Sequence, residues 1–95
     1  METSNLLAIP MFCKVYNIEL GFVNALHEHG LIELVTFEEI QYVQHDHLRD
    51  LERLIRLHYD LEINMEGIDV IAHLLKRVEA MQEEMLVLRN RRSAE

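Results

Sequence analysis

The sequence predicts a mostly α-helical fold: a winged helix-turn-helix head with a small β wing, followed by a long C-terminal coiled-coil helix. The 95 residues are 49% hydrophobic with only three glycines and one proline, which indicates one small domain without a flexible linker. Two short apolar helical runs meet at a turn, and apolar residues recur every seven positions near the C-terminus. We expect residues 1–63 to form the head and residues 64–95 to form a dimerisation helix.

The first two helices are expected on either side of a turn near Asn17. An extended piece, Leu6 to Ile9, leads into Pro10, which suits the first turn of a helix. The second helix is expected from about Glu19 to His29, and it ends at Gly30 because glycine best accepts a left-handed C-cap. Its inward and flanking positions are expected to be Val23, Leu26, Leu20 and Phe22.

The wing and the third helix follow. Two β-prone runs, Leu31 to Val35 and Ile40 to Val43, surround Thr36 to Glu39 and predict a small hairpin. Asp46 is expected to cap a third helix through His58, because apolar residues recur there at helical spacing.

The last helix carries the longest periodic pattern. Asn64 is expected to be its N-cap, with Met65 as its first residue. A heptad seam follows, formed by Ile71, Leu74, Val78, Met81, Met85 and Leu88. We expect the first turns to pack on the head and the rest of the seam to join a homodimer. Packing along the chain's own body is the alternative, and the orientation of the paired helices stays open.

The charge distribution favours a protein partner over DNA. The chain carries 17 acidic and 9 basic residues, a net charge of −8, and it has no lysine or arginine from Val15 to His47. An acidic surface repels nucleic acid and anionic lipid and suits a basic partner. The alternative is that the acidic surface only promotes solubility. No apolar run has the length of a membrane span.

The expected compartment is the cytoplasm. The N-terminus METSNLLAIP lacks the basic and long apolar regions of a signal peptide. The lone Cys13 lies in an apolar segment, which indicates a buried core residue in a reducing compartment.

No pattern predicts catalysis, a cofactor or a metal site. The histidine pairs His27/His29 and His45/His47 are spaced two apart, so within a helix they point to different faces. Phosphate-binding loops and metalloprotease motifs are missing from the sequence. We therefore expect a protein that is not an enzyme.

Phe22 and Phe37 suggest a binding patch. If both are exposed, they form an apolar centre with an acidic rim, as protein-binding surfaces often do. The alternative is that Phe22 is buried. The candidate partner-binding residues are Phe22, Glu28, Glu33, Phe37, Glu38 and Glu39.

The segment IPMFCKVYNIELGFVNALHEHGLIE (residues 9–33) resembles the helix-turn-helix of MerR-type regulators, in register from Ile9 to Gly30. That family presents arginines to DNA from the second helix. Here the corresponding positions hold Gly21 and Asn24, and Glu28 stands where a basic residue is common. The resemblance implies the shape of a DNA-binding head without its positive charge.

Two segments narrow the resemblance to one group of MerR-like proteins. HYDLEINMEGIDVIAHLL (residues 58–75) and LLAIPMFCKVYNIELGFVNALHEHGLIEL (residues 6–34) resemble the chaperone-modulator CbpM family. The resemblance implies a protein that binds the J-domain of a DnaJ/CbpA-type co-chaperone and restrains its stimulation of Hsp70.

The alternative is a MerR-type transcriptional regulator that keeps weak DNA binding. Three arginines on the third helix, Arg49, Arg53 and Arg56, would then contact the duplex. These arginines would otherwise pair with neighbouring acidic side chains, namely Asp50, Glu52 and Asp60.

Overall fold

A computed structural model describes residues 5–94 of the chain and the side chains of residues 5–92. Residues 1–4 lie outside the described residues, so the start of the segment that was expected to lack a signal peptide is not described. The elements in chain order are β1 Leu6–Ala8, α1 Ile9–Tyr16, α2 Leu20–Glu28, β2 Val35–Phe37, β3 Ile40–Gln44, α3 Leu48–Tyr59 and α4 Met65–Ala94. The predicted fold class is confirmed: helices dominate, a small antiparallel sheet forms the wing, and the last helix is long.

The helix-turn-helix forms where the sequence predicts it. α1 carries Pro10 in its first turn, and Asn17 ends it in the left-handed conformation with φ 55°. The Ile18 amide donates to the Cys13 carbonyl at 2.9 Å, which closes the turn. Gly30 adopts φ 72° just beyond α2, as a left-handed cap requires.

The sheet has the order β1-β3-β2, and both pairings are antiparallel. The expected extended piece at Leu6 is therefore a strand, β1. The prediction of a strand from Leu31 to Val35 is wrong except at its last residue, because β2 runs from Val35 to Phe37. The Leu31 amide donates to the Leu26 carbonyl at 2.9 Å, so this segment completes the end of α2 before the chain can extend.

The two predicted helix caps have different outcomes. Asn64 caps α4 as predicted: its side-chain Oδ1 accepts the Gly67 amide at 2.9 Å. The prediction that Asp46 caps α3 is wrong. A 3-10 turn at His45–His47 precedes α3, whose N-cap is His47 without a side-chain hydrogen bond. The turn's own backbone supplies the hydrogen bonds at this helix start.

The core lies between the helix-turn-helix, the inner face of the sheet and one side of α3 and α4. Its buried side chains are Ile9, Phe12, Cys13, Ile18, Phe22, Val23, Leu26, Ile32, Val43, Leu51, Leu54 and Ile68. The first turns of α4 thus belong to the head core through Ile68, as expected. None of the helices within residues 5–94 combines the length and apolar character that a bilayer span requires.

Candidate protein-binding surface

The outward face of α2 carries small and neutral residues together with one acidic side chain. Val23 and Leu26 are buried as predicted, whereas Leu20 is 45% exposed. Gly21 and Glu28 are exposed, and a Cβ atom added at Gly21 would point into open space. The face that a DNA-binding head would use for phosphate contacts therefore offers no cation and no steric barrier.

α2 is held by the end of α3. The Glu19 amide at the start of α2 donates to the Tyr59 hydroxyl at 3.0 Å. The His58 ring stacks on Phe22 with centroids 4.5 Å apart, and Tyr59 meets Phe22 edge-on at 5.5 Å. His58 Nδ1 lies 3.0 Å from the Ile63 carbonyl, which ties this ring to the segment before α4. Aromatic packing thus fixes α2 relative to the rest of the head.

Phe22 does not contribute to an exposed patch. Its side chain is only 7% exposed because it is covered by His58 and Tyr59. The prediction that Phe22 and Phe37 form an exposed pair is therefore wrong, and the burial alternative holds. The sequence pattern placed Phe22 beside the core but did not show the two aromatic residues of α3 that cover it.

The tip of the wing does expose an apolar side chain beside two carboxylates. Phe37 is 55% exposed and pairs across the hairpin with Ile40, which is 42% exposed. Glu38 and Glu39 form the two-residue turn between them, with φ 49° and 68°. Such turns favour asparagine and glycine because both central residues have positive φ. Two glutamates in this conformation therefore lower the stability of the hairpin. Sequence reasoning missed Ile40 as a surface residue, although its place beside the turn was visible.

The remaining two candidate residues lie away from the wing turn. Glu28 is exposed at the C-terminus of α2. Glu33 lines a surface depression together with His47, Asp50 and Lys76 at the base of the hairpin. Of the six candidate residues, the structure therefore places Phe37, Glu38 and Glu39 together on consecutive positions and gives the others separate surroundings.

The arginines of α3 do not form the predicted pairs with their neighbours. Arg53 Nη1 lies 3.5 Å from Glu79 Oε1, so it reaches across to α4. Among residues 5–92, no ion pair within 4 Å joins these arginines to Asp50, Glu52 or Asp60. Arg49 and Arg56 are exposed.

The heptad seam of α4 is open to solvent in the single chain. Five of its six residues are exposed, namely Leu74, Val78, Met81, Met85 and Leu88, and Ile71 is half-buried. Val70 is also exposed beside the seam, a position that the heptad pattern had not singled out. Among the side chains of residues 5–92, most of this apolar face of α4 is therefore open to solvent.

Two titratable side chains of the head, Cys13 and His29, contribute to the packing of the fold. Cys13 is buried, and burial raises the pKa of its thiol, which disfavours the reactive thiolate. His29 Nδ1 lies 3.2 Å from Asp69 Oδ2, which links the end of α2 to α4. The described residues contain no group of three or more metal-binding side chains arranged to hold an ion.

Comparisons with known proteins agree with this architecture. Chaperone modulatory protein CbpM of Pseudomonas entomophila (strain L48) is 28% identical to the chain over 86 residues, which cover 90% of this chain and 85% of that protein. The predicted resemblance to the chaperone modulators is thereby confirmed. No solved structure matches the chain at a significant level. The model of the family "MerR HTH family regulatory protein" matches residues 7–90, and the chain therefore belongs to this family of helix-turn-helix regulatory proteins.

Proposed function

We propose that this protein is a non-enzymatic modulator that binds the J-domain of a DnaJ/CbpA-type co-chaperone and thereby limits its stimulation of Hsp70. The similarity to a chaperone modulatory protein supports this proposal. Membership of a regulatory family supports a role that needs no active site.

The observation that carries the proposal is the missing positive charge on a head of DNA-binding shape. The chain from Val15 to His47, which includes α2 and the whole hairpin, has no lysine or arginine. Phosphate contacts supply much of the affinity of DNA-binding proteins, and each cation that is lost removes part of it. A carboxylate such as Glu28 on the same face would repel the duplex. A basic protein surface would instead be attracted to this head.

The mode of action that we propose is competition. The resemblance to the chaperone modulators implies that the partner's J-domain uses a basic helix to engage Hsp70. An acidic surface would draw that helix by electrostatic steering, and its occupation would exclude Hsp70. The wing tip, with Glu38 and Glu39 beside Phe37, is the acidic surface that best combines charge with exposed apolar area.

We also propose that the protein is a homodimer through the exposed seam of α4. The six seam side chains would each gain roughly 1.5–3 kcal/mol on full burial, before the entropy costs of association. The single chain leaves most of this seam uncovered, so a second copy would supply the missing contact.

Charge reversal at separate acidic surfaces tests the J-domain proposal. Titration of the purified J-domain against the full chain should show that Glu38→Lys/Glu39→Lys raises Kd by at least about tenfold and flattens its dependence on salt. Glu83→Lys/Glu84→Lys is the matched control, because it makes the same charge change on α4. Glu28→Lys/Glu33→Lys tests the remaining acidic candidates.

Each result separates the possible surfaces. Unchanged affinity and salt dependence in the Glu38→Lys/Glu39→Lys variant would exclude the wing tip. A loss in the α4 variant instead would move the contact to the long helix. Failure of the unaltered chain to bind any J-domain encoded in the same genome would overturn the proposal itself.

The alternative function is weak DNA binding through α3. The exposed side chains of Arg49 and Arg56 favour it, although Arg53 is engaged by Glu79. A gel shift at low salt separates the two functions, because true DNA binding weakens steeply as salt rises. Tight, sequence-selective binding at physiological ionic strength would replace the chaperone proposal with a transcriptional one.

A further inference from the structure

The outer face of the wing sheet is mostly apolar. Strand register places Leu6 opposite Gln44, Ala8 and Val35 on either side of Tyr42, and Phe37 opposite Ile40. Paired residues point to the same side of a sheet, and residues two apart along a strand do so as well. This face carries the exposed polar Gln44 at one end and six apolar side chains, which we call the outer row: Leu6, Ala8, Val35, Phe37, Ile40 and Tyr42.

The opposite face of the same strands packs inward. Val43 is fully buried, and its partner Leu7 packs against the core. Near the turn, this inner face carries the polar pair Thr36 and Gln41. A sheet with one solvated face normally places apolar residues inward and polar residues outward. At the wing tip the arrangement is reversed.

The outer row is accessible in the single chain. Phe37 and Ile40 are the most exposed of its residues, and the other four are half-buried. Tyr42 lies in the middle strand between Ala8 and Val35, so it forms the centre of the row. The row thus combines an exposed end at the turn with a half-buried part that crosses three strands, an arrangement that suits a binding surface.

The charged residues of the three strands and the turn have one sign. The turn residues Glu38 and Glu39 connect Phe37 directly to Ile40, and both are exposed. The three strands and the turn contain no lysine or arginine. A partner that reaches this surface therefore meets apolar area with two carboxylates at one end, which complements apolar residues flanked by basic ones.

We propose that the outer row is the surface on which the basic partner proposed above docks, as an amphipathic helix. The apolar side of that helix lies across the row, and its lysines or arginines lie beside Glu38 and Glu39. Neighbouring strands are spaced by about 4.8 Å, so three strands span roughly 10 Å, close to the diameter of one helix. This inference rests on the proposed function and adds the surface that performs it.

The test replaces the two most exposed apolar residues in the full chain. Phe37→Thr/Ile40→Thr places a β-branched side chain that suits strands at both positions and removes most of their apolar area. The probe is the purified J-domain of the co-chaperone. We expect Kd to rise at least about tenfold, because the two substitutions remove the most exposed apolar area that a docked helix would bury. The matched control, Thr36→Ala/Gln41→Ala, changes the inner face of the same strands and should leave Kd within about twofold.

Three results would overturn the inference, and they differ from one another. J-domain binding that is unchanged in Phe37→Thr/Ile40→Thr would reject the outer row and leave the proposed function intact. Absence of J-domain binding by the unaltered chain would reject both. Conversion of a dimer to a monomer by the same variant, measured by sedimentation, would show that a second copy covers the row instead. Circular dichroism of each variant, with an unchanged spectrum, shows that the head is folded during these measurements.

Discussion

The two ends of α4 have different surroundings, and the residues that pack on the head lie outside the heptad seam. Up to Leu75 the helix packs on the head: Ile68 is fully buried, and Met65 and Ala72 contact the core. Beyond Leu75, the apolar side chains are 47–65% exposed in the single chain, namely Val78, Met81, Met85, Leu86, Val87 and Leu88. The head therefore covers a side of α4 next to the heptad seam, since the seam residue Leu74 is 52% exposed even at this end.

The comparison also separates two sources of stability. The first turns of α4 gain theirs from apolar burial within one chain. The later turns extend away from the described core, so their helical conformation depends on their own propensity and on any partner helix. Substitutions at the two ends of α4 and at its contacts with the head test this division.

Ile68→Ala should destabilise the head by about 2–5 kcal/mol, because it leaves a cavity in the core where α4 meets the head. The measurement is urea unfolding at low protein concentration, followed by circular dichroism. Val78→Ala is the control on the exposed part of the same helix, and we expect a change within about 0.5 kcal/mol. Equal losses in both variants would show that the two ends of α4 are not distinct.

Val78→Lys/Met85→Lys should weaken the proposed dimer by at least about a hundredfold, because two charges would enter each copy of the seam. Sedimentation velocity over a range of concentrations measures this directly. Ala80→Lys/Val87→Lys is the control, since it adds the same charges at the same spacing outside the seam. A dimer that resists the first variant and not the second would place the interface on another face of α4.

Asn64→Ala should cost about 1 kcal/mol, because the Gly67 amide loses the side-chain acceptor that caps α4. Asn64→Ser should keep most of the stability, since its hydroxyl can accept the same hydrogen bond. Thermal or urea unfolding of the three proteins gives the comparison. A loss in Asn64→Ser as large as in Asn64→Ala would mean that the cap is not what stabilises the helix start.

Removal of the Arg53–Glu79 ion pair should cost about 0.5 kcal/mol or less. Both side chains are substantially exposed and the atoms lie 3.5 Å apart, so solvent screens the attraction. A double-mutant cycle with Arg53→Ala and Glu79→Ala measures the pair apart from other effects of each change. A coupling above about 1 kcal/mol would show that α4 is held to α3 more firmly than its burial indicates.

Local signals in the sequence predicted the helix ends best. Asn64 and Gly30 act at the expected positions because capping depends on neighbouring backbone groups alone. Val23 and Leu26 are buried as expected because helical spacing sets the inward side. Asp46 failed as a cap because a 3-10 turn at the same place satisfies the backbone differently.

The candidate site was harder to predict, because it depends on contacts between distant segments. Phe22 is covered by His58 and Tyr59, which follow it by more than thirty positions in the chain. Arg53 meets Glu79 on another helix, although closer carboxylates stand beside it in sequence. The outer row emerged only from the pairing of β1 with β3, which brings Leu6 and Ala8 beside the hairpin.

The hydrogen bond between the Glu19 amide and the Tyr59 hydroxyl has a consequence for how binding events communicate. It joins α2 to Tyr59, the last residue of α3. The preceding residue, His58, lies within hydrogen-bond distance of the Ile63 carbonyl, just ahead of α4. These contacts connect the position of α2 to the segment that precedes α4. If the proposed dimer forms, any free-energy coupling through them would make partner binding at the head and subunit pairing alter each other's affinity by the same factor.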